Sequence, residues 1–106
     1  VRRQVLDGPT SALERLHAHA TTLDPGQVSG EPRLHPQEEL IIVQQGTIEA
    51  HFDGQTQIAD AGSVIFFAAN AVTFLKNAGS VPATYHVVYY QVPGAKAAEA
   101  GKQVPR

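Results

Sequence analysis

The 106-residue sequence contains no cysteine, no methionine and no tryptophan. Without cysteine, disulfides, zinc–thiolate centres and cysteine nucleophiles are excluded, so a metal ion could be held only by His, Asp or Glu. Long apolar runs are also missing: no stretch approaches the roughly 20 residues that span a bilayer, and no leader with a basic start and an apolar centre is present. We expect a soluble chain, and the sequence does not indicate its cellular compartment. Because the sequence begins with Val1, we also expect a processed or trimmed chain.

An excess of positive charge is absent as well. The 8 Lys and Arg residues and the 10 Asp and Glu residues give a net charge of −2 at pH 7 with His neutral. Binding to nucleic acid or to an anionic membrane requires clustered positive charge, so neither is expected as a partner. The length and the hydrophobic fraction of 42% are typical of one domain that folds by burying a core.

Glycine and proline punctuate the chain at short intervals and separate segments of strand composition. The clearest turn signal is Asp53-Gly54, which predicts a tight hairpin. Strands are predicted at 13–23, 39–45, 47–52, 55–59, 63–68, 71–76 and 83–92. Such short strands at regular intervals predict an all-β sandwich or closed barrel. We divide the chain into an N-terminal extension at 1–12, a barrel at 13–92 and a C-terminal tail at 93–106.

Three ionisable residues share one face of the extended chain around His35. Arg33, His35 and Glu39 are separated by two and then four positions, so on a strand all three point to the same side. Ile41 and Val43 continue that face as an apolar wall, which favours an interior position in a small barrel. Two interpretations stay open: a polar site in the lumen, or an Arg33–Glu39 pair at the barrel mouth with His35 hydrogen-bonded locally.

Two segments resemble the sequence motifs of the cupins, a superfamily of small β-barrels. His35, Glu39 and Gly46 match the second His, the Glu and the closing Gly of the first cupin motif. Gly62 and Asn77 match the first and last positions of the second motif at the right spacing. The resemblance covers about residues 13–92 and implies an all-β, single-domain, jelly-roll-like cupin barrel.

The resemblance also implies where a metal would bind. In metal-binding cupins the ligands are two His and a Glu of the first motif and a His of the second, which fall here on Arg33, His35, Glu39 and Thr73. Two imidazoles are therefore replaced, and the Arg33 guanidinium would repel a cation. We predict a degenerate site without a cofactor, in which Arg33, Glu39 and His35 form a network. If a cofactor is bound, we expect a divalent metal on His35 and Glu39.

The other four histidines each allow a structural and a functional interpretation. His17 and His19 share a face of the first predicted strand, which is more typical of a half-exposed strand face than of a two-His metal site. His51 is expected on the polar outer face of its strand. His86 lies among the tyrosines of the last strand and is expected to point into the barrel, as a buried imidazole or as part of a ligand-binding pocket.

Two functions from different classes follow from the resemblance. The first is a binding domain whose lumen takes a small anionic ligand, with Arg33 on the anion and Thr73, His35 and His86 as hydrogen-bonding partners. The second is an enzyme: a metal-dependent oxygenase or isomerase with substituted ligands, or a metal-free isomerase or lyase with His35 or Glu39 as general base. The missing metal ligands favour the first, and no nucleophile or phosphate-loop motif identifies a catalytic residue.

Cupins of this size commonly dimerise, so the resemblance implies a homodimer. The continuous apolar run at 40–43 predicts a strand that is covered on both faces. Together with the aromatic segment at 85–90, it favours a barrel with one covered outer face. The first predicted strand, at 13–23, is the candidate for covering that face within the chain or between two chains.

Overall fold

The computed structural model describes residues 1–93, which form β-strands and no helix. The strands are β1 (Arg2–Gly8), β2 (Arg15–Leu23), β3 (Arg33–Leu34), β4 (Glu38–Gln45), β5 (Thr47–Phe52), β6 (Gln55–Asp60), β7 (Val64–Phe67), β8 (Val72–Asn77) and β9 (Ala83–Gln91). The all-β prediction is confirmed, and β2 and β4 to β9 lie where the sequence pattern predicts strands. Within this range no helix could cross a membrane. Apart from Pro93, the predicted tail at 93–106 lies outside the described residues.

The strands form two antiparallel sheets that share one core. One sheet has five strands in the order β1-β2-β9-β4-β7, and the other has four in the order β3-β8-β5-β6. The chain passes from one sheet to the other between β4 and β5 and again between β6 and β7, as in a jelly roll. Because buried side chains of both sheets belong to a single hydrophobic cluster, the two inner faces pack against each other.

Two-residue alternation decides which side chains enter this core. Along β4, Glu39, Ile41 and Val43 are buried, whereas Leu40 and Ile42 retain 38% and 41% of their surface in solvent. Each fully buried aliphatic side chain contributes roughly 1.5–3 kcal/mol to folding. The predicted interior position of Ile41 and Val43 is therefore found, and Glu39 is drawn inside with them.

Within residues 1–93 of one chain, nothing covers the outer face of β4, so the predicted cover from within the chain is not found; cover by a second chain stays a prediction. Leu40 and Ile42 are paired with Phe66 and Val64 of β7, and all four side chains are exposed on the same side of the sheet. β2 does not cover them, because it is hydrogen-bonded beside β9 in the same sheet. We call these four residues the outer apolar patch.

β1 and the two-residue β3 are not predicted by the sequence pattern. β1 is an edge strand that pairs with β2, and it buries neither face, so it lacks the alternation that reveals a half-buried strand. The Val1 amino group donates a hydrogen bond of 2.9 Å to the Thr22 carbonyl oxygen. Much of the segment assigned to an extension is thus part of the five-stranded sheet.

Left-handed backbone conformations keep the connections short. Asp53 and Gly54 have φ values of 48° and 82° and form the predicted hairpin turn between β5 and β6. Gly46 alone separates β4 from β5, with φ of 82°. A Cβ added to Gly46 would lie 2.8 Å from the Cα and Cβ atoms of Ala83, so the crossing between the sheets requires glycine there for both reasons.

We expect Gly46→Ala to destabilise the protein far more than Gly54→Ala. The two glycines have the same φ, so both substitutions carry the left-handed penalty of about 1–2 kcal/mol. Only at Gly46 does the added methyl group overlap neighbouring atoms, which costs about 1–3 kcal/mol more. Urea unfolding of the two variants measures the difference. Equal losses of unfolding free energy would contradict the close approach to Ala83.

Candidate functional site

A cavity of about 170 Å³ opens between the two sheets at the end of the barrel where β3 and β8 pair. Its apolar wall includes Ile41, Phe67, Leu75 and Val87. Its polar lining includes Arg2, His19, Arg33, His35, Glu39 and Thr73. Ionisable groups and hydrophobic surface therefore meet here, as they do in small-molecule sites.

Strand register brings the predicted site residues together. Arg33 of β3 is paired directly with Thr73 of β8, so both side chains leave the sheet on the same side. Glu39 enters the cavity from β4 of the opposite sheet. The loop that carries His35 is fixed by the Asn70 N–H, which donates a 2.7 Å hydrogen bond to the His35 carbonyl oxygen. Arg33, His35, Glu39 and Thr73 thus line one cavity.

His86 does not line this cavity, contrary to the sequence-based expectation. In β9 the side chains of Tyr85 and Val87 point inward, so His86 between them lies on the outer face. There it is paired with Ala20 of β2 and Ile42 of β4, beside the outer apolar patch. Both faces of this strand carry large side chains, so the two-residue alternation alone could not show which face points into the barrel.

The predicted Arg33–Glu39–His35 network is also corrected. The ion pairs within residues 1–93 do not include one between Arg33 and Glu39. Arg33 is exposed, whereas Glu39 retains only 8% of its surface in solvent, so the two groups occupy different depths. Their interaction is a longer-range charge effect, in which Arg33 lowers the pKa of Glu39.

Burial shifts the titration of the cavity groups toward their neutral forms. Desolvation raises the pKa of Glu39 to about 7, against the opposing charge of Arg33. Desolvation and the nearby Arg33 charge both lower the pKa of His35. Burial also lowers the pKa of His19 to about 4, with further lowering by Arg2 and His17. Near neutral pH both imidazoles are therefore uncharged, and Glu39 is the cavity group that changes its charge.

Arg2, His19 and Tyr85 also line this cavity, although the sequence pattern does not predict them there. Arg2 belongs to β1, the strand without an alternation signal. Tyr85 lies on the face of β9 opposite to that of His86, and its face is the inner one. Burial raises the pKa of the Tyr85 hydroxyl group to about 12. The sequence could have indicated that His19 lies in the cavity, because His17 and His19 share a face of β2 and that face is the inner one.

His17 and His19 bond to each other across that inner face. Nε2 of His17 lies 2.8 Å from Nδ1 of His19, so these two nitrogens share a proton and do not point at a common metal position. The His17 ring is stacked on Tyr89 with centroids 4.5 Å apart, and only 2% of the residue is exposed. His17 is therefore buried, not half-exposed as the sequence predicted, and the bonded pair does not have the arrangement of a two-His metal site.

His51 lies on the outer face of the four-stranded sheet, as its parity predicts. Its Nε2 atom is 2.6 Å from Oε1 of Glu49, and its ring stacks on Phe74 with a centroid distance of 4.1 Å. Its partners lie on the same strand and on the neighbouring strands, with Oγ1 of Thr56 on β6 a further 3.2 Å contact of Nδ1, and the residue is half-buried. His51 thus contributes to the surface of β5 and not to the cavity.

The donor set of the cavity fits a divalent cation poorly. Of the four positions that hold metal in metal-binding cupins, only His35 and Glu39 carry strong donors, and Arg33 brings a positive charge. Within residues 1–93, no group of three or more His, Cys, Asp and Glu side chains is arranged to hold a metal ion. We therefore derive the chemistry of the cavity from its own side chains.

A second cavity, of about 260 Å³, lies between β6 and β7 near the outer apolar patch. Its lining includes Phe52, Ile58, Ala59, Ile65 and Phe66 and contains no ionisable side chain. It is larger than the first cavity, but it offers no group that could fix a charge or move a proton. The functional chemistry is therefore assigned to the smaller cavity.

Several solved structures resemble this chain. A sugar phosphate isomerase of the cupin superfamily from Silicibacter pomeroyi is 25% identical, with a TM-score of 0.66, over 74% of this chain and 52% of that chain. The Cupin_2 domain of an XRE family transcriptional regulator from Enterobacter cloacae is 20% identical, with a TM-score of 0.73, over 88% of this chain and 96% of that chain. An oxalate oxidase is 21% identical, with a TM-score of 0.65, over 74% of this chain and 44% of that chain. At these identities the last two likenesses show the fold.

The chain thus spans about half the length of the isomerase that it resembles. No curated protein sequence matches it. The family model of the cupin domain matches residues 19–89, from β2 to β9, and includes the strands that carry Arg33, Glu39 and Thr73. Because this match covers well over half of the 106 residues, the chain belongs to the cupin domain family.

Proposed function

We propose that the chain binds a small anionic ligand in the cavity that Arg33 lines. The observation that carries the proposal is that the Arg33 guanidinium reaches this cavity without an ion pair to any carboxylate of residues 1–93. A guanidinium is permanently charged and presents a planar set of N–H donors, which suits a carboxylate or a phosphate group. The ligand would supply the counter-charge.

The neighbours of Arg33 support a polar ligand. Thr73, its register partner, is buried and offers a hydroxyl group that can donate or accept a hydrogen bond. His35 is held neutral by burial and by the Arg33 charge, so its ring offers one N–H donor and one acceptor. The apolar wall beyond them excludes water and strengthens each charge-assisted hydrogen bond.

The size of the cavity limits the ligand. Sites for drug-sized molecules are roughly 300–1,000 Å³, whereas this cavity holds about 170 Å³. A compact organic acid or a small phosphorylated compound fits that volume better than an extended molecule. Because Arg33 is exposed, the charged end of such a ligand would lie toward solvent and its remainder against the apolar wall.

An isomerase is the alternative function. Glu39 favours it, because a buried carboxyl group whose pKa is about 7 can both accept and return a proton near neutral pH. The resemblance to a sugar phosphate isomerase over part of its length points to the same reaction class. In that case Arg33 would hold the anionic group of the substrate and Glu39 would be the general base.

We also propose that two copies of the chain associate through the outer apolar patch. Val64 and Phe66 are 63% and 54% exposed, and with Leu40 and Ile42 they form a continuous apolar surface on adjacent strands. The cavity between β6 and β7 borders this surface, because Val64 and Phe66 line both. A second copy presents the same uncharged patch about a two-fold axis, so each patch would cover the other.

Arg33→Gln is expected to remove the stabilisation of the protein by small anions. A ligand that binds only the folded state raises the unfolding free energy by about 2.7 kcal/mol at 100 times its dissociation constant. Thermal unfolding with lactate and with phosphate measures the effect. Arg3→Gln is the matched control, because Arg3 is an exposed arginine of β1 that does not line the cavity. Equal stabilisation of Arg33→Gln and the wild type would contradict the proposal.

Glu39→Gln is expected to change how stability depends on pH. The folded-state pKa of about 7 exceeds the ordinary value of 4.5, so between these values the folded state holds a proton that the unfolded state has released. The unfolding free energy contributed by Glu39 therefore falls as pH rises through 7, by about 3 kcal/mol in all. Urea unfolding at pH 5 and pH 8 should show that Glu39→Gln gains stability relative to the wild type at pH 8. Parallel pH curves would exclude a buried, neutral Glu39.

Phe66→Arg is expected to convert the dimer to a monomer, because a charge at the centre of the patch cannot be buried against its two-fold copy. Light scattering at micromolar concentration measures the mass. Val81→Arg is the control: Val81 is 53% exposed, lies outside both sheets and should leave the dimer intact. A monomeric wild-type protein would contradict the proposed association.

A further inference from the structure

Two arginines from different sheets reach the same cavity. Arg33 comes from β3, an edge strand of the four-stranded sheet, and Arg2 comes from β1, an edge strand of the five-stranded sheet. The cavity also contains the carboxyl groups of Glu31, which is exposed, and Glu39, which is buried. Arg2, like Arg33, forms no ion pair with a carboxylate of residues 1–93. The cavity therefore presents two guanidinium groups whose charges the protein does not pair directly.

A series of side-chain contacts leads from the edge of the sheet to the cavity wall. Arg15 binds both carboxylate oxygens of Asp7, at 2.8 and 3.2 Å. Oδ1 of Asp7 lies 3.5 Å from Nδ1 of the buried His17. Nε2 of His17 lies 2.8 Å from Nδ1 of His19, and His19 lines the cavity. His19 is thus hydrogen-bonded to a buried histidine that also lies near Asp7, although Nδ1 of His17 has no hydrogen-bond partner among residues 1–93.

The donors and acceptors of this series of contacts can be assigned because the Arg2 guanidinium, which contacts His17, can only donate hydrogen bonds. Nη2 of Arg2 lies 3.4 Å from Nε2 of His17, and a guanidinium only donates, so Nε2 of His17 is assigned as an acceptor. Nδ1 of His19 must donate to His17, which leaves Nε2 of His19 as an acceptor for a hydroxyl group.

We propose that β1 completes the anion site and that its ligand is a small phosphate monoester carrying a hydroxyl group. This inference rests on the proposed function, because Arg33 is required in both. The two guanidiniums would share the oxygens of the doubly charged phosphate, and Nε2 of His19 would accept a hydrogen bond from the hydroxyl group. A single carboxylate would use Arg33 and leave Arg2 unengaged.

Calorimetric titration of the full chain with three probes tests this inference. Glycerol 3-phosphate carries the dianion and hydroxyl groups, methyl phosphate carries the dianion alone, and lactate carries one negative charge. Arg2→Gln should weaken both phosphate esters about 10- to 100-fold and leave lactate unchanged. His19→Gln should weaken glycerol 3-phosphate but not methyl phosphate. Arg3→Gln, with the same change of charge on the same strand, should change none of the three.

Two results would overturn the inference. One is equal weakening by Arg2→Gln and Arg3→Gln, which would mean a general effect of net charge. The other is wild-type affinity for the phosphate esters no higher than for lactate. Failure of the proposed function is a separate result, namely no loss of lactate binding in Arg33→Gln. Circular dichroism and thermal unfolding of each variant verify that its fold is retained.

Discussion

The structure depends on one constraint: successive side chains of a strand point to opposite faces, and the space between the sheets admits only one face of each strand. β4 shows the consequence most clearly, because Ile41 and Val43 enter the core and Glu39 must enter with them. The same alternation leaves Leu40 and Ile42 exposed on the other side. A buried carboxyl group and an open apolar surface are thus two results of one strand register.

Much of this architecture could be predicted from the sequence, because a half-buried strand has a visible two-residue period. Even spacing predicted that Arg33, His35 and Glu39 share one face of a single strand. They do line one cavity, but Arg33 lies on β3 and Glu39 on β4 of the opposite sheet, a change of sheet that spacing could not reveal. β1 could not be found, since a strand that buries neither face has no such period. His86 was placed on the wrong face because β9 carries large side chains on both. Residue spacing predicts the face to which a side chain points but not how deeply the side chain is buried. It therefore could not exclude an Arg33–Glu39 ion pair.

The charges of the cavity side chains depend on how deeply each side chain is buried. Glu39 is buried, and desolvation raises its pKa to about 7, whereas the exposed Arg33 guanidinium forms no ion pair with a carboxylate of residues 1–93. In a metal-binding cupin these positions supply donors to a cation. Here the sequence has the cation Arg33 at one of these positions, which would reverse the electrostatic preference of the site within the same fold. This reversal is why we propose an anionic ligand.

The most direct test of the central claim, that the cavity binds an anion without a metal, is one calorimetric comparison. Untagged protein is treated with a chelator and titrated with lactate, and the titration is repeated after Mn²⁺ is added. We predict the same affinity in both titrations and its loss in Arg33→Gln. Lactate binding that requires Mn²⁺ and disappears in Glu39→Ala would contradict the claim and restore a metal to the site.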